Sequence, residues 1–280
     1  MTSPNLPTET LLSEFCVTDP EFVDETGIAR IWKVKRADKS FAAFKIYLGD
    51  NMKNEAPGFE FLRSKNGVGV AEIYQTNHNC ALMEWLEGES LGDMVRRGGD
   101  QQAAIELIKV ANSIHQDRPE LAIDLPHLET WYENVFDLKY ADNISQDVKD
   151  NFATCQHLAD ELFAQQRDVV ALHGDLHHDN IKHSARGFLA FDAKGIVGER
   201  AYEIANAFRN PKGGDIYIQD PARFLYLVEL WSKEFDVDRV RLLKWAIVKC
   251  GWSISRASDG LIKNHKDLDL LDMFIKTAKV

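Results

Sequence analysis

The sequence predicts an α+β chain of two unequal lobes, a small antiparallel-sheet lobe over residues 1–86 and a larger helical lobe over residues 87–280. Three observations carry this reading. Before about Ser90, short runs of β-branched and aromatic residues alternate with polar turn-formers. Beyond it, apolar residues recur at three- and four-residue spacing over helix-length stretches. Within that helical half, Asp168 to His173 and Ile181 to Asp192 return to strand-like runs on either side of a polar, histidine-rich segment.

Each element follows from local chemistry. Ile28 to Arg36 and Phe41 to Leu48 flank Ala37-Asp38-Lys39-Ser40, a short polar stretch suited to a hairpin turn. Asn54 to Lys65 carries Phe59, Phe61 and Leu62, but Pro57 and Gly58 are poor mid-helix residues, so the helix starts late or kinks. Val70 to Gln75 and Cys80 to Leu86 pair around Thr76-Asn77-His78-Asn79 as a second hairpin. Helices are predicted over Gln101 to His115, Leu128 to Tyr140, Val148 to Gln166, Pro221 to Phe235, Asp238 to Ala257 and Asp267 to Ala278. Trp131, Trp231, Trp245 and Trp252 fall on these segments at core-like positions and read as packing.

Composition bounds the function. The chain has 33 basic and 44 acidic side chains, a net charge of −11, and 45% hydrophobic residues, which excludes disordered and collagen-like classes. The acidic excess argues against a general grip on nucleic acid or anionic lipid and suits a cationic small partner. Cys16, Cys80, Cys155 and Cys250 form no CxxC pair for zinc or disulfide exchange. MTSPNLPTET has no basic start or apolar run, and no apolar stretch approaches the ~20 residues of a membrane span, so a cytoplasmic protein is expected.

The chemistry sits in the interruption of the helical half. Leu172-His173-Gly174-Asp175-Leu176-His177-His178-Asp179-Asn180 places an asparagine five residues after an aspartate, and Asp192 follows twelve residues later. Phosphoryl transfer needs a carboxylate to orient an acceptor hydroxyl and take its proton, and oxygen ligands for magnesium on a triphosphate. Asp175 suits the first task, Asn180 and Asp192 the second. The spacing is that of the H-R-D-x-x-x-x-N loop of protein kinases with Gly174 in place of arginine, and Asp192 stands where the D-F-G aspartate would be.

A kinase also needs a lysine on a strand of the first lobe, and Ala43-Phe44-Lys45-Ile46 supplies one for the α- and β-phosphates of ATP. Its ammonium needs a carboxylate partner, for which Glu55 is favoured over Glu60. Cys80 to Gly88 reads as the connector between lobes, its backbone around Glu84 and Leu86 facing an adenine edge. The phosphate-covering loop offers only Thr26-Gly27, without G-x-G-x-x-G. His173, His177, His178 and His183 lie close together, but the segment's oxygen ligands favour magnesium over zinc. His173 reads as orienting the loop, and His177 and Lys194 as lying near the transferred phosphate or serving structure.

On these residues the sequence resembles the aminoglycoside phosphotransferases, and within them the streptomycin 6-kinase branch, also called the aminoglycoside and hydroxyurea antibiotic resistance kinases. Phe188-Leu-Ala-Phe-Asp-Ala-Lys-Gly-Ile-Val-Gly-Glu199 looks like that branch's D-P-K-G-x-x-G-[ED] stretch. Ala201 to Asn206 and Arg209-Asn210-Pro211 resemble its downstream helix and N-P turn. The resemblance extends to Phe44-Lys45, Asn54-Glu55-Ala56, Met83 to Leu86 and Leu128 to Phe136, and departs at Ala193, where proline is expected, and at Pro57-Gly58.

The resemblance implies a two-lobed protein-kinase-like fold, ATP and Mg2+ as cofactors, and a small-molecule acceptor, first an aminoglycoside of the streptomycin type. It implies an acceptor pocket in the helical lobe, often acidic, to which Asp259, Asp267, Asp269 and Asp272 would contribute unless they form a solvated helix face. Fold and catalytic loop serve equally a kinase of a metabolite such as a sugar or amino alcohol. The missing glycine-rich loop alone favours a nucleotide-binding protein without turnover.

Overall fold

The computed structural model describes residues 6–116, 124–133 and 135–279. Met1 to Asn5 of the N-terminal stretch, and Asn134 within the predicted Leu128 to Tyr140 helix, lie outside the described residues. The first lobe runs α1 (Glu9–Glu14), β1 (Val17–Glu25), β2 (Ala29–Arg36), β3 (Phe41–Tyr47), α2 (Ala56–Ser64), β4 (Ile73–Thr76) and β5 (Cys80–Glu84). The five strands form one antiparallel sheet in the order β1-β2-β3-β5-β4. Both expected hairpins are present.

The first strand, β1, was not anticipated, because Pro20 and the acidic residues Asp19, Glu21, Asp24 and Glu25 mask its pattern. It survives as an edge strand, with breaks in register between Thr18 and Glu21 and between Phe22 and Asp24. An edge strand tolerates proline, since no neighbour needs its missing N–H.

Alternation along the strands sorts the lobe into two faces. Trp32 and Phe44 face each other across β2 and β3 and pack with Phe15, Val34 and Leu82 on one side. Lys45 and Tyr47 fall on the other side, with Ala81, Met83 and Phe59 of α2. That second side faces the cleft.

The second lobe contains α3 (Leu91–Arg96), α4 (Asp100–Ile114), α5 (Leu128–Tyr132), β6 (Lys139–Tyr140), α6 (Gln146–Ala164), β7 (Val169–Leu172), β8 (Ile181–Ser184), β9 (Gly187–Ala190) and β10 (Ile196–Glu199), then α7 (Asp215–Ile218), α8 (Pro221–Glu234), α9 (Arg239–Ala257), β11 (Leu261–Ile262) and α10 (Leu268–Ala278). Ser90 starts α3 through a reciprocal capping box with Asp93. Five of the six predicted helices match α4, α6, α8, α9 and α10 within two residues at each end.

The sixth is a correction. The Leu128 to Tyr140 helix stops at Tyr132, and its distal part pairs in parallel with β11. Lys139 N–H donates to the Gly260 carbonyl at 2.8 Å and Ala141 N–H to the Ile262 carbonyl at 3.0 Å, so tertiary pairing overrides a helix-compatible apolar spacing.

The central irregular segment is ordered by two small antiparallel sheets, β7 with β10 and β8 with β9. Asp175 and Asn180 lie between β7 and β8, and Asp192 lies between β9 and β10. Phe61, Leu62 and Val70, from α2 and the loop after it, belong to the same core as the helical lobe, so α2 bridges the two lobes.

Pro57 and Gly58 act at this junction. Pro57 lies in the first turn of α2, where its missing N–H costs nothing, and the helix does start late. Gly58 stands against the Ala193 carbonyl, which a Cβ would meet at 1.9 Å; Gly195, at φ +64°, stands against the Pro57 carbonyl, which a Cβ would meet at 2.1 Å. The two backbones touch, and only glycine fits on either side. Gly58→Ala is therefore expected to cost about 2 kcal/mol or more. Gly27→Ala, with nothing within 4 Å, should stay within about 0.5 kcal/mol. Urea unfolding of the two variants checks this contrast.

Candidate active site

Lys45 projects from β3 into the interlobe cleft and donates to Glu55 Oε2 at 2.6 Å and to Asp192 Oδ1 at 3.0 Å. The choice between Glu55 and Glu60 is thereby resolved in geometry: Glu60 pairs with Arg63 on the surface. Glu55 also accepts from the Tyr47 hydroxyl at 2.5 Å and, on Oε1, from Lys194 Nζ at 3.1 Å. Burial alone would raise the Glu55 carboxyl, but the two ammoniums more than reverse this and hold it below the ordinary range. Burial likewise opposes ionisation of Asp192, and Lys45 and Lys194 again win. Lys194 keeps its proton against burial because Asp192, Glu55 and Asp175 all surround it.

The catalytic-type loop is held from beneath by a residue that sequence reasoning did not single out for chemistry. Glu203, fully buried, accepts the backbone N–H groups of His173 at 3.0 Å and Gly174 at 3.1 Å, and meets His115 Nε2 at 2.7 Å. Burial disfavours its charge, and His115 and the loop amides outweigh that. Gly174, at φ +80°, allows the loop to turn directly above this carboxylate. His173 orients the loop as expected. Its Nδ1 accepts the Asp175 N–H at 3.3 Å, so Nε2 carries the proton donated to the Phe191 carbonyl at 3.0 Å; burial keeps the ring neutral.

Asp175 stands half-buried with Oδ1 accepting from Asn206 Nδ2 at 2.8 Å. Asn180 Nδ2 donates to the Asp175 carbonyl at 3.0 Å, which leaves its amide oxygen as an acceptor. Phe191 N–H donates to the Asn180 carbonyl at 3.0 Å and ties the two oxygen-bearing side chains to adjacent strands. Lys45, Glu55, Asp175, Asn180 and Asp192 thus belong to one connected region.

The cleft is a cavity of about 330 Å3 with Ile31, Ala43, Met83, Leu86 and Phe191 on its apolar walls and Lys45 and Asp192 among its polar lining. Thr26 of the β1–β2 turn also lines it. The turn is closed by the Thr26 hydroxyl, which accepts the Ala29 N–H at 3.1 Å, where a glycine-rich loop would rely on backbone freedom. At the connector, Glu84 gives its backbone N–H to the Glu72 carbonyl at 2.8 Å. Its carboxylate takes the Glu72 N–H at 3.1 Å and pairs with Arg186 from the β8–β9 turn.

The other histidines go to separate places. His177 Nδ1 accepts the Asp179 N–H at 3.3 Å, His178 is fully buried against Trp231, and His183 packs on Phe188. Trp231 and Trp245 are core; Trp131 and Trp252 stack at 5.8 Å and are only half-buried. Lys249 of α9 lies 4.1 Å over Trp252, its buried ammonium pushed down to about 8 by desolvation despite the nearby Asp175. The four C-terminal acids form no common acidic pocket wall. Asp267 is buried against Arg209, Asp272 is shared by Lys276 and Asn151, and Asp259 and Asp269 are exposed.

Comparison with known proteins places this geometry. The family model described as aminoglycoside/hydroxyurea antibiotic resistance kinase matches residues 15–260. Streptomycin 3''-kinase of Klebsiella pneumoniae is 31% identical over 212 residues, covering 71% of this chain and 74% of that protein. A thermostable mutant of aminoglycoside phosphotransferase APH(4)-Ia, solved in ternary complex with AMP-PNP and hygromycin B, superposes with a TM-score of 0.63 at 10% identity, covering 97% of each chain. A fructosamine-3-kinase from Thermobifida fusca YX-ER1, so described provisionally, gives 0.59 at 12% identity over 97% of this chain and 98% of that one. These structures share the two-lobed protein-kinase-like fold. The chain belongs to the aminoglycoside/hydroxyurea antibiotic resistance kinase family and is a small-molecule kinase, transferring phosphate to a hydroxyl group.

Proposed function

We propose that this chain transfers the γ-phosphoryl group of ATP to a hydroxyl of a streptomycin-type aminoglycoside, with Asp175 engaging that hydroxyl. The observation that carries the reading is the junction of Lys45, Glu55 and Asp192 within one cleft, beside a loop that presents Asp175 and Asn180. The lobes meet at the connector, with the boundary at residues 86 and 87, and the nucleotide lies between them in the cytoplasm.

In this mechanism Lys45 binds the α- and β-phosphates, and Glu55 fixes its direction. The backbone at Glu84 and Leu86 holds the adenine edge. Since the Glu84 N–H is engaged by Glu72, its carbonyl and the Leu86 amide carry that contact. Mg2+ would be held by the Asn180 amide oxygen and the Asp192 carboxylate, a hard-oxygen pair that suits it, and would supply charge neutralisation on the phosphates. Asp175 orients the acceptor O–H and holds its proton as that oxygen bonds to the γ-phosphorus. The bond from that phosphorus to the bridging oxygen breaks, and ADP leaves with the electron pair.

One observation favours a less cationic acceptor, such as a sugar: Lys194, Lys249 and Arg209 all lie near Asp175. A coupled ADP-release assay with magnesium-ATP separates the readings, using streptomycin, other aminoglycosides, sugars and amino alcohols. Streptomycin-dependent release is the expected result; release only with a sugar or amino alcohol would move the acceptor to metabolism. With the active acceptor, Asp175→Asn should lower kcat by roughly 10²–10⁴-fold while ADP affinity holds. Undiminished turnover would contradict the assignment of Asp175.

A further inference from the structure

Glu55 holds two ammoniums, and only one is accounted for by the α- and β-phosphates. Lys45 is the deeper of the two, its side chain 10% exposed and bonded to both Glu55 and Asp192. Lys194 is 23% exposed and donates from Nζ to Glu55 Oε1 at 3.1 Å. Its backbone N–H donates to the His173 carbonyl at 2.7 Å, which seats it on the catalytic-type loop. A Cβ on Gly174 would lie 3.5 Å from the Lys194 Cβ, so the lysine stem runs beside the residue that precedes Asp175. Lys194 therefore joins Glu55 to the loop that carries Asp175, with Asp192 and Asp175 both close enough to hold its charge.

That location carries a chemical requirement. The transferred group spreads negative charge over three oxygens, and a positioned cation there stabilises the transition state. His177, two residues beyond Asp175, is the other nearby basic side chain in the loop, but burial lowers its pKa and keeps its ring neutral, so it brings no positive charge. An ammonium has three donors, and the bond to Glu55 uses one of them.

Resting on the nucleotide-cleft reading above, we propose that Lys194 binds the terminal phosphoryl group: Glu55 holds its ammonium at 3.1 Å, and it passes to the γ-phosphate when a nucleoside triphosphate enters. Lys45 and Lys194 then divide the phosphate chain, and Asp175 receives the acceptor beyond Lys194. The residue acts on charge already present in the triphosphate and on the charge that develops in transfer, so it contributes both to triphosphate affinity and to kcat.

Calorimetric titration of wild type, Lys194→Met and Lys194→Arg with magnesium-ADP and magnesium-AMP-PNP tests this without any acceptor. Lys194→Met should bind AMP-PNP about tenfold or more weakly while ADP stays within about threefold, and Lys194→Arg should restore most of the difference. Lys194→Gln, close in shape and uncharged, should repeat the selective loss, and a matching Tm confirms each variant is folded. Equal weakening of both nucleotides would show that Lys194 only supports Glu55, and unchanged affinity for both would remove it from phosphate binding; either overturns the proposal. Wild-type protein that bound neither nucleotide would instead overturn the cleft reading on which it rests.

Discussion

A carboxylate taken out of water at the boundary of two lobes must find enough partners there to remain charged, and Glu55 finds three. Lys45 and Tyr47 come from one face of β3, and Lys194 comes from the segment after Asp192. One side chain thus joins the sheet, the start of α2 and the cleft edge of the helical lobe. The backbones enforce the same alignment, since Gly58 and Gly195 let α2 and the Ala193 to Gly195 segment approach as closely as main chains allow. A residue with a side chain at either point would separate Glu55 from Lys194.

A second buried carboxylate organises the other side of the cleft. Glu203 takes two consecutive loop amides and His115, so the turn carrying Asp175 is fixed from within the core and not from solvent. Asn206, three residues further on, holds one oxygen of Asp175. Chemistry-bearing groups in this chain are therefore aimed by buried polar partners whose own charges are satisfied, an arrangement that limits reorganisation during transfer.

Much of this was legible in the sequence because the groups that carry charge are few and regularly spaced. The Asp175, Asn180 and Asp192 series and the lysine in an apolar strand needed no structure, and Glu55 was preferred correctly over Glu60 as the neighbour of Lys45. The helices with strong periodicity were readable too. The distal half of the Leu128 to Tyr140 stretch was not, because its aromatic and apolar residues fit either a helix or the paired segment that β11 selects. β1 was hidden by Pro20 and its acids, which an edge strand tolerates. Glu203 left only a faint signal, one acid among apolar neighbours, since its partners are backbone amides 29 and 30 residues away. Pro57 and Gly58 looked like defects in a helix when read along the chain; across the junction they are what permits contact.

Central here is that Glu55, just before α2, and not Glu60 within that helix, aligns Lys45 for the proposed nucleotide contact. Comparing magnesium-ADP affinity in Glu55→Gln and Glu60→Gln tests it directly. The account predicts a loss of about tenfold or more for Glu55→Gln and no more than about twofold for Glu60→Gln, whose partner is a surface arginine. Equal affinities in the two folded variants, or a larger loss for Glu60→Gln, would contradict it.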